Sequence, residues 1–184
     1  MDRGVGGRMT DPRCLLELRL SPQKPAGGWA VRNVRAADAD DLAILLYAAF
    51  RGSVDDEGET FADAAAEIEK TFTGGYGRLL TDCSFVIERD EFLASACLVS
   101  WFELHQAPLV VFTMTRPESR ARGMARDLLQ HSINALIARG ERRLTLVVSE
   151  ANRPARRLYE SLGLFPHGES NASEGSPEGT SSRT

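Results

Sequence analysis

The amino-acid sequence predicts a single mixed α/β domain. A chain of 184 residues is long enough for one domain with a substantial core. Its hydrophobic pattern changes repeatedly between a period of two and helical spacing. Three apolar strands joined by short links precede a helix and one further apolar strand. We expect the domain to span residues 13–165, between a flexible tail at 1–12 and a disordered Gly-, Ser-, Pro- and Glu-rich tail at 166–184.

The first elements are two short strands and a helix. Residues 14–20 (CLLELRL) alternate leucine with polar residues, and residues 29–35 (WAVRNVR) form a second strand candidate. Asp38, with Asp41 three residues later, is expected to cap the first helix. The apolar stripe of this helix consists of Leu42, Leu45, Leu46, Ala49 and Phe50.

A second helix follows the acidic stretch at 51–60. Thr60 and Asp63 repeat the capping spacing, and GGYG at 74–77 is expected to end the helix. Its predicted apolar stripe consists of Phe61, Ala65, Ile68 and Phe72.

The second half of the chain predicts most of the sheet. Its three closely linked strands are expected to be antiparallel. The strand, helix, strand order that comes next implies a right-handed crossover with parallel pairing. The predicted strands are 84–90, 92–103, 108–115 and 143–149, and the predicted helices are 123–139 and 152–163.

Composition excludes several classes of protein. The net charge of −4 argues against a general binder of nucleic acids or membrane surfaces, which would need a positive field. No apolar stretch approaches the roughly 20 residues of a membrane span, and the first residues lack a signal peptide's apolar core. Three irregularly spaced cysteines predict no disulfide framework, so we expect a cytoplasmic protein. The histidines His105, His131 and His167 lack metal-ligand spacing, and we expect no metal.

An arginine-rich turn at 115–129 (TRPESRARGMARDLL) joins the third strand of this group to a helix. The first N–H groups of a helix lack intrahelical partners, and Gly123 would allow an anion such as a pyrophosphate to approach them. Arg120 and Arg122 would add charge-assisted contacts. Two alternatives are an ordinary solvated helix face and, disfavoured by the net charge, a nucleic-acid patch. The chain has neither G-x-x-x-x-G-K-[ST] nor G-x-G-x-x-G.

The last predicted helix adds a second candidate group. Asn152 and Tyr159 are seven positions apart and therefore share a face. A phenol at the same end of the sheet as an anion site could donate a proton to a leaving group. A single tyrosine is more often structural.

Together the two segments resemble a known family. RARGMA at 120–125 matches the signature [QR]-x-x-G-x-[GA] of the GNAT superfamily of acyl-CoA-dependent N-acetyltransferases. NRPARRLYESLGLF at 152–165 resembles that family's later segment N-x-x-A-x-x-L-Y-x-x-L-G-F. The strand between them, RLTLVVS, is in the expected place, and the resemblance covers residues 29–165.

The resemblance implies a fold, a cofactor and a reaction. It implies a splayed central sheet with helices on both faces, whose two middle strands part to admit acetyl-CoA as co-substrate. The acetyl group would pass to a primary amine of a small molecule or protein by direct attack, with Tyr159 as general acid. The implied acetyl-CoA contacts are Met114 and Thr115 on the pantetheine arm, the backbone of Arg120, Ala121, Arg122, Gly123, Met124 and Ala125 on the pyrophosphate, and Asn152.

The acceptor side is less defined. The general base would be Glu103, at the end of the preceding strand, or a water relay, although a solvated strand end is the simpler interpretation of Glu103. The loop at 51–60 carries several carboxylates that would attract a cationic amine if they faced the cleft. We expect them instead to be solvated. They are Asp55, Asp56, Glu57 and Glu59.

The chain departs from the family after the last helix. The family usually adds two more strands there, whereas this chain continues into its polar tail. The strand at 143–149 would then have an exposed edge. The strand at 14–20, a partner subunit as in a homodimer, or nothing could cover it. This departure motivates an alternative function, a non-catalytic acyl-CoA-binding or regulatory module.

Overall fold

A computed structural model describes residues 12–166 and shows an eight-stranded mixed sheet with four α-helices in that part of the chain. The strands are β1 (Arg13–Arg19), β2 (Val31–Asn33), β3 (Arg78–Leu79), β4 (Phe85–Arg89), β5 (Phe92–Phe102), β6 (Ala107–Thr115), β7 (Arg143–Ser149) and β8 (Phe165–Pro166). The helices are α1 (Ala39–Phe50), α2 (Phe61–Phe72), α3 (Met124–Ala138) and α4 (Arg153–Glu160). The mixed α/β prediction is confirmed, and the two tails lie outside the described residues.

The strand order is β2-β4-β5-β6-β7-β1-β8, with β3 paired to β5. Strands β4, β5 and β6 are consecutive antiparallel neighbours, as predicted. After the α3 crossover, β7 pairs parallel to β6, which confirms the predicted strand, helix, strand unit.

Helices cover both faces of the sheet, and each face has its own core. On one face α3 buries its apolar stripe, including Met124, Leu128 and Ile133, together with Tyr159 of α4. On the other face α1 and α2 bury residues such as Leu42 and Ile68. None of the helices in residues 12–166 is both long and apolar enough to cross a membrane.

One predicted helix cap is confirmed and one is wrong. Thr60 and Asp63 form the predicted capping box of α2. The Asp38 side chain does not cap α1. It accepts hydrogen bonds from the Arg35 N–H at 2.7 Å and from the Arg32 guanidinium at 2.8 and 2.9 Å. The carboxylate therefore pairs with Arg32 of β2 instead of the N–H groups of α1. Helical spacing cannot predict this contact, because Arg32 lies outside the helix.

The predicted exposed edge of β7 is covered by the N-terminal strand. β1 pairs antiparallel with the whole of β7, from Arg13 opposite Ser149 to Arg19 opposite Arg143. The chain after α4 contributes the two-residue strand β8, which pairs with β1. Of the three alternatives for this edge, the early strand is the one that the structure shows, so the edge needs no partner subunit.

The sheet splays between β6 and β7. Only Leu109 with Thr145 and Val110 with Leu146 are paired across these two strands. The β5–β6 register shifts at the next residue, Val111, where β6 has a bulge. Beyond it β6 continues alongside β5 and β7 continues alongside β1, which leaves a gap between the two middle strands.

Candidate active site

Two cavities adjoin where the sheet splays. One, of about 680 Å³, borders the turn between β6 and α3; we call it the turn cavity. The other, of about 560 Å³, lies between the α1–α2 segment and β7; we call it the helix cavity. Six residues line both cavities and therefore mark their junction: Phe50, Asp55, Thr113, Asn152, Ala155 and Tyr159.

The turn before α3 presents unpaired backbone donors to the turn cavity. The Arg120 N–H donates to the Pro117 carbonyl at 3.3 Å, and the first N–H bonded within the helix is that of Asp127, to the Gly123 carbonyl at 3.0 Å. Within the described chain, no hydrogen bond is recorded for the N–H groups of residues 121–126. Such a run at a helix N-terminus suits an anion. Arg120 lies in this turn, but its N–H is already hydrogen-bonded within the protein and is not available to an anion.

Gly123 has a conformation that suits this arrangement. Its φ is +80°, a left-handed value, and a Cβ built there would meet no atom within 4 Å. The glycine is therefore required by its backbone conformation, while the space above it stays open to a ligand.

The four arginines of the turn have different surroundings. Arg120 donates to the Ala49 carbonyl at 2.6 Å and so ties the turn to the end of α1. Arg116 donates to the Leu93 carbonyl at 2.9 Å and lies over the Phe92 ring. Arg126 donates to Ser161 Oγ at 2.7 Å. Arg122 is exposed, and its guanidinium makes no hydrogen bond or ion pair within residues 12–166. It is the arginine best able to meet an anion.

The exposed edge of β6 is formed by Thr113 and Thr115. The Met114 carbonyl accepts from Ser95 Oγ at 2.7 Å, and the Arg116 N–H donates to the Ala94 carbonyl at 3.0 Å. The backbone groups of Met114 and Arg116 therefore face β5. Backbone groups alternate along a strand, so those of Thr113 and Thr115 face the gap. Both threonines line the turn cavity. Met114 does not line it, because its side chain lies in the α1–α2 core.

Tyr159 lies at the junction with only 8 % of its surface exposed. Burial raises the pKa of its phenol to about 12, the nearby Thr113 hydroxyl lowers this pKa, and Cys97 and Asp55 raise it. Thr113 Oγ1 is itself buried, and its contact with the phenol falls short of hydrogen-bond geometry. The phenol therefore keeps its proton at neutral pH and can donate it to a group in either cavity.

Asn152 connects the last helix to the acidic loop. Its Oδ1 accepts from the Ala155 N–H at 3.1 Å and caps α4. Its Nδ2 donates to Asp55 Oδ2 at 2.6 Å. Asn152 lines both cavities, but its polar atoms are engaged with the protein.

The loop carboxylates border the helix cavity. Asp55, Asp56 and Glu59 line it, together with Asp63 and Glu67 of α2. Glu57 does not line it and instead pairs with Arg13 at 3.6 Å. Three of the four carboxylates of this loop therefore face the helix cavity, where Asp55 and Asp56 are half-buried and Glu59 is exposed to solvent.

Glu103 lies away from the junction. It follows β5 in an exposed turn, where Gln106 Nε2 donates to its carboxylate at 3.1 Å. The adjacent Phe102 pairs with Ala107, at the opposite end of β6 from Thr115. Glu103 lines neither cavity, so the structure does not bring this candidate base to Tyr159. Asp55 is the carboxylate at the junction.

Residues 46–164 match the model of the acetyltransferase (GNAT) family. The chain belongs to the GNAT family. This identification agrees with the splayed sheet and with the two cavities that meet beside Tyr159.

Two curated relatives match part of the chain. A mycothiol acetyltransferase of Thermomonospora curvata is 37% identical over 82 residues, which are 44% of this chain and 27% of that protein. The [ribosomal protein bS18]-alanine N-acetyltransferase of Salmonella typhimurium is 36% identical over 96 residues, 52% of this chain and 62% of that protein. The chain thus spans less than two thirds of either relative.

A solved structure shares the fold. A GCN5-related N-acetyltransferase from Sphaerobacter thermophilus has a TM-score of 0.63 at 20% identity, covering 84% of this chain and 48% of that chain.

In residues 12–166 of this GNAT protein, no group of three or more His, Cys, Asp or Glu side chains could hold a metal ion.

Of the junction residues of this GNAT chain, sequence reasoning missed Thr113 and did not single out Asp55. Thr113 shares the period-two face of Thr115, and that alternation could have indicated it. Asp55 was named only as one of several acidic loop residues. Its selection depends on the contact with Asn152, which is distant in sequence.

Proposed function

We propose that the chain is an acetyl-CoA-dependent N-acetyltransferase that transfers the acetyl group to a primary amine. The observation that carries the proposal is the junction of the two cavities at Tyr159 and Thr113. One cavity has unpaired N–H donors for a phosphate, and the other has carboxylates for an amine.

Free thiols at Cys14, Cys83 and Cys97 are compatible with a reducing cytoplasm, where we propose that the protein acts.

The turn cavity suits acetyl-CoA. We assign its pyrophosphate to the N–H groups of residues 121–126, with the exposed Arg122 beside them. The space above Gly123 is open, so no side chain obstructs a phosphate there. The extended pantetheine arm would lie along the free edge of β6, where Thr113 and Thr115 offer backbone donors and acceptors.

The reaction follows from the position of Tyr159. The amine nitrogen, in its neutral form, attacks the thioester carbon and forms a C–N bond. The C–S bond then breaks, and Tyr159 gives its phenolic proton to the departing sulfur. The proton lost by the amine leaves past Asp55 to water, and solvent reprotonates the phenol. Holding the two substrates together lowers the activation free energy by several kcal/mol.

Binding and turnover are tested separately. Calorimetry should detect acetyl-CoA binding, and a panel of amines should include acceptors that release CoA. A folded protein that binds no acetyl-CoA at millimolar concentration would contradict the proposal. Binding without CoA release for any amine would favour the non-catalytic acyl-CoA-binding module instead.

A further inference from the structure

We infer that the acceptor is an amine that carries a second positive charge, with the reacting nitrogen beside Asp55 and the second cation beside Glu59. The inference rests on the proposed function. It concerns the contents of the helix cavity, which the family assignment leaves open.

The charge on the walls of the helix cavity is strongly unbalanced. Five carboxylates line it against two guanidinium groups, those of Arg13 and Arg51. Arg13 pairs with Glu57, outside the lining, and Arg51 lies 5.5 Å from the Tyr47 ring centroid. Within residues 12–166 there is no ion pair to Asp55 or Glu59. Of the five, Glu67 pairs with Lys70 at 3.4 Å, and Asp63 accepts from the Thr60 N–H at 2.7 Å in the cap of α2. The negative charge on which the inference rests is therefore that of Asp55 and Glu59, and a single ammonium group would compensate only one of these two carboxylates.

The remaining wall is apolar, with aromatic residues beside aliphatic ones such as Leu46 and Val111. Phe112 makes edge-to-face contacts with Phe50 and Tyr76, at centroid distances of 6.4 and 6.2 Å. Tyr47 also lines the cavity. Aromatic faces attract cations and bury short alkyl chains, so they suit an aliphatic spacer between two ammonium groups. They would provide no favourable interaction for an anionic acceptor.

The two carboxylates of the proposal occupy different positions. Asp55 lines both cavities and is held by Asn152, so it lies where the acetyl group must be transferred. The buried Thr113 Oγ1 there has no hydrogen-bond partner and could accept one from the amine. Glu59 lines the helix cavity but not the turn cavity. Its Oε2 accepts from the Glu57 N–H at 2.9 Å, which holds the carboxylate in place and leaves its charge available.

Amines matched in length test the inference. Short diaminoalkanes are compared with amino alcohols of the same chain length, and kcat/KM is measured by CoA release. We expect the best diamine to exceed its amino alcohol by about fivefold, a typical effect for a partly exposed ion pair. Equal kcat/KM values across the series would overturn the inference while leaving the proposed function intact.

Three charge-removing variants locate the effect. Glu59→Gln should lower kcat/KM for the diamine alone, by about fivefold, and bring the ratio towards one. Asp55→Asn should lower kcat/KM for both amines, by about tenfold. Glu69→Gln is the matched control, because Glu69 is an exposed residue of α2 that lines neither cavity. An unchanged ratio in Glu59→Gln would overturn the inference. Absence of acetyl transfer to any amine would overturn both the inference and the proposed function.

Discussion

Replacing Asn152 by alanine should destabilise the protein more than the loss of an ordinary helix cap. The side chain makes two hydrogen bonds that alanine cannot make, to the Ala155 N–H and to Asp55. A lost cap costs about 1 kcal/mol. A hydrogen bond to a charged, half-buried carboxylate adds about 1.5 kcal/mol. The free energy of unfolding should therefore fall by about 2.5 kcal/mol.

Urea unfolding, followed by far-UV circular dichroism, measures this free energy. Thr60→Ala is the matched control, because Thr60 caps α2 through its contact with the Asp63 N–H and has no contact with the junction. It should cost only about 1 kcal/mol. Asn152→Asp keeps the acceptor for the cap but places a carboxylate against Asp55, so it should be less stable than the parent at neutral pH.

A double-mutant cycle isolates the bond between the loop and α4. Asn152→Ala and Asp55→Ala, made singly and together, should give a coupling energy of about 1 kcal/mol or more. A coupling energy near zero would show that Asn152 does not hold the loop, and the reasoning about the junction would then be wrong.

Three further predictions concern the turn and the phenol. Gly123→Ala should weaken acetyl-CoA binding by about fivefold in calorimetry, because alanine disfavours a φ of +80° although its Cβ has room; unchanged affinity would refute this. Tyr159→Phe should bind acetyl-CoA normally but show a lower kcat, and equal kcat values would remove the general acid. Because folding raises the pKa of Tyr159, the phenol makes its full contribution to the free energy of unfolding below pH 10. Above pH 10 the parent should lose about 1 kcal/mol per pH unit relative to Tyr159→Phe, as the unfolded phenol ionises and the folded one, with its pKa of about 12, does not. Parallel pH profiles of unfolding would contradict that assignment.

Local pattern was sufficient to predict most of the elements. The alternating leucines of β1, the apolar stripe of α3 and the capping box at Thr60 each depend on neighbours a few residues away. The docking of β1 against β7 was left open, because a strand's period sets its buried face and not its partner. Asp38 was assigned wrongly for a similar reason, since its carboxylate is bound by an arginine of another element.

In the candidate site, too, local features could be predicted and long-range contacts could not. The turn before α3 could be located because its glycine and its position at a helix start are local features. The choice of Thr113 over Met114 depends on which edge of β6 is paired, and the position of Glu103 depends on the hairpin register. Asp55 is distinguished from its acidic neighbours by a contact with a residue almost a hundred positions away. The local period of β6 groups Thr113 with Thr115 but does not show which edge of the strand is free, and it gives no information on the positions of Glu103 and Asp55.

The stoichiometry of acetyl transfer tests the central claim most directly. The protein is incubated with acetyl-CoA and a short diamine, and free CoA and acetylated diamine are quantified together by mass spectrometry. We predict equal amounts of the two products, formed over many turnovers and much more slowly in Tyr159→Phe. Acetyl-CoA that binds but is recovered intact with every amine would contradict the claim that the two cavities form one site for acetyl transfer.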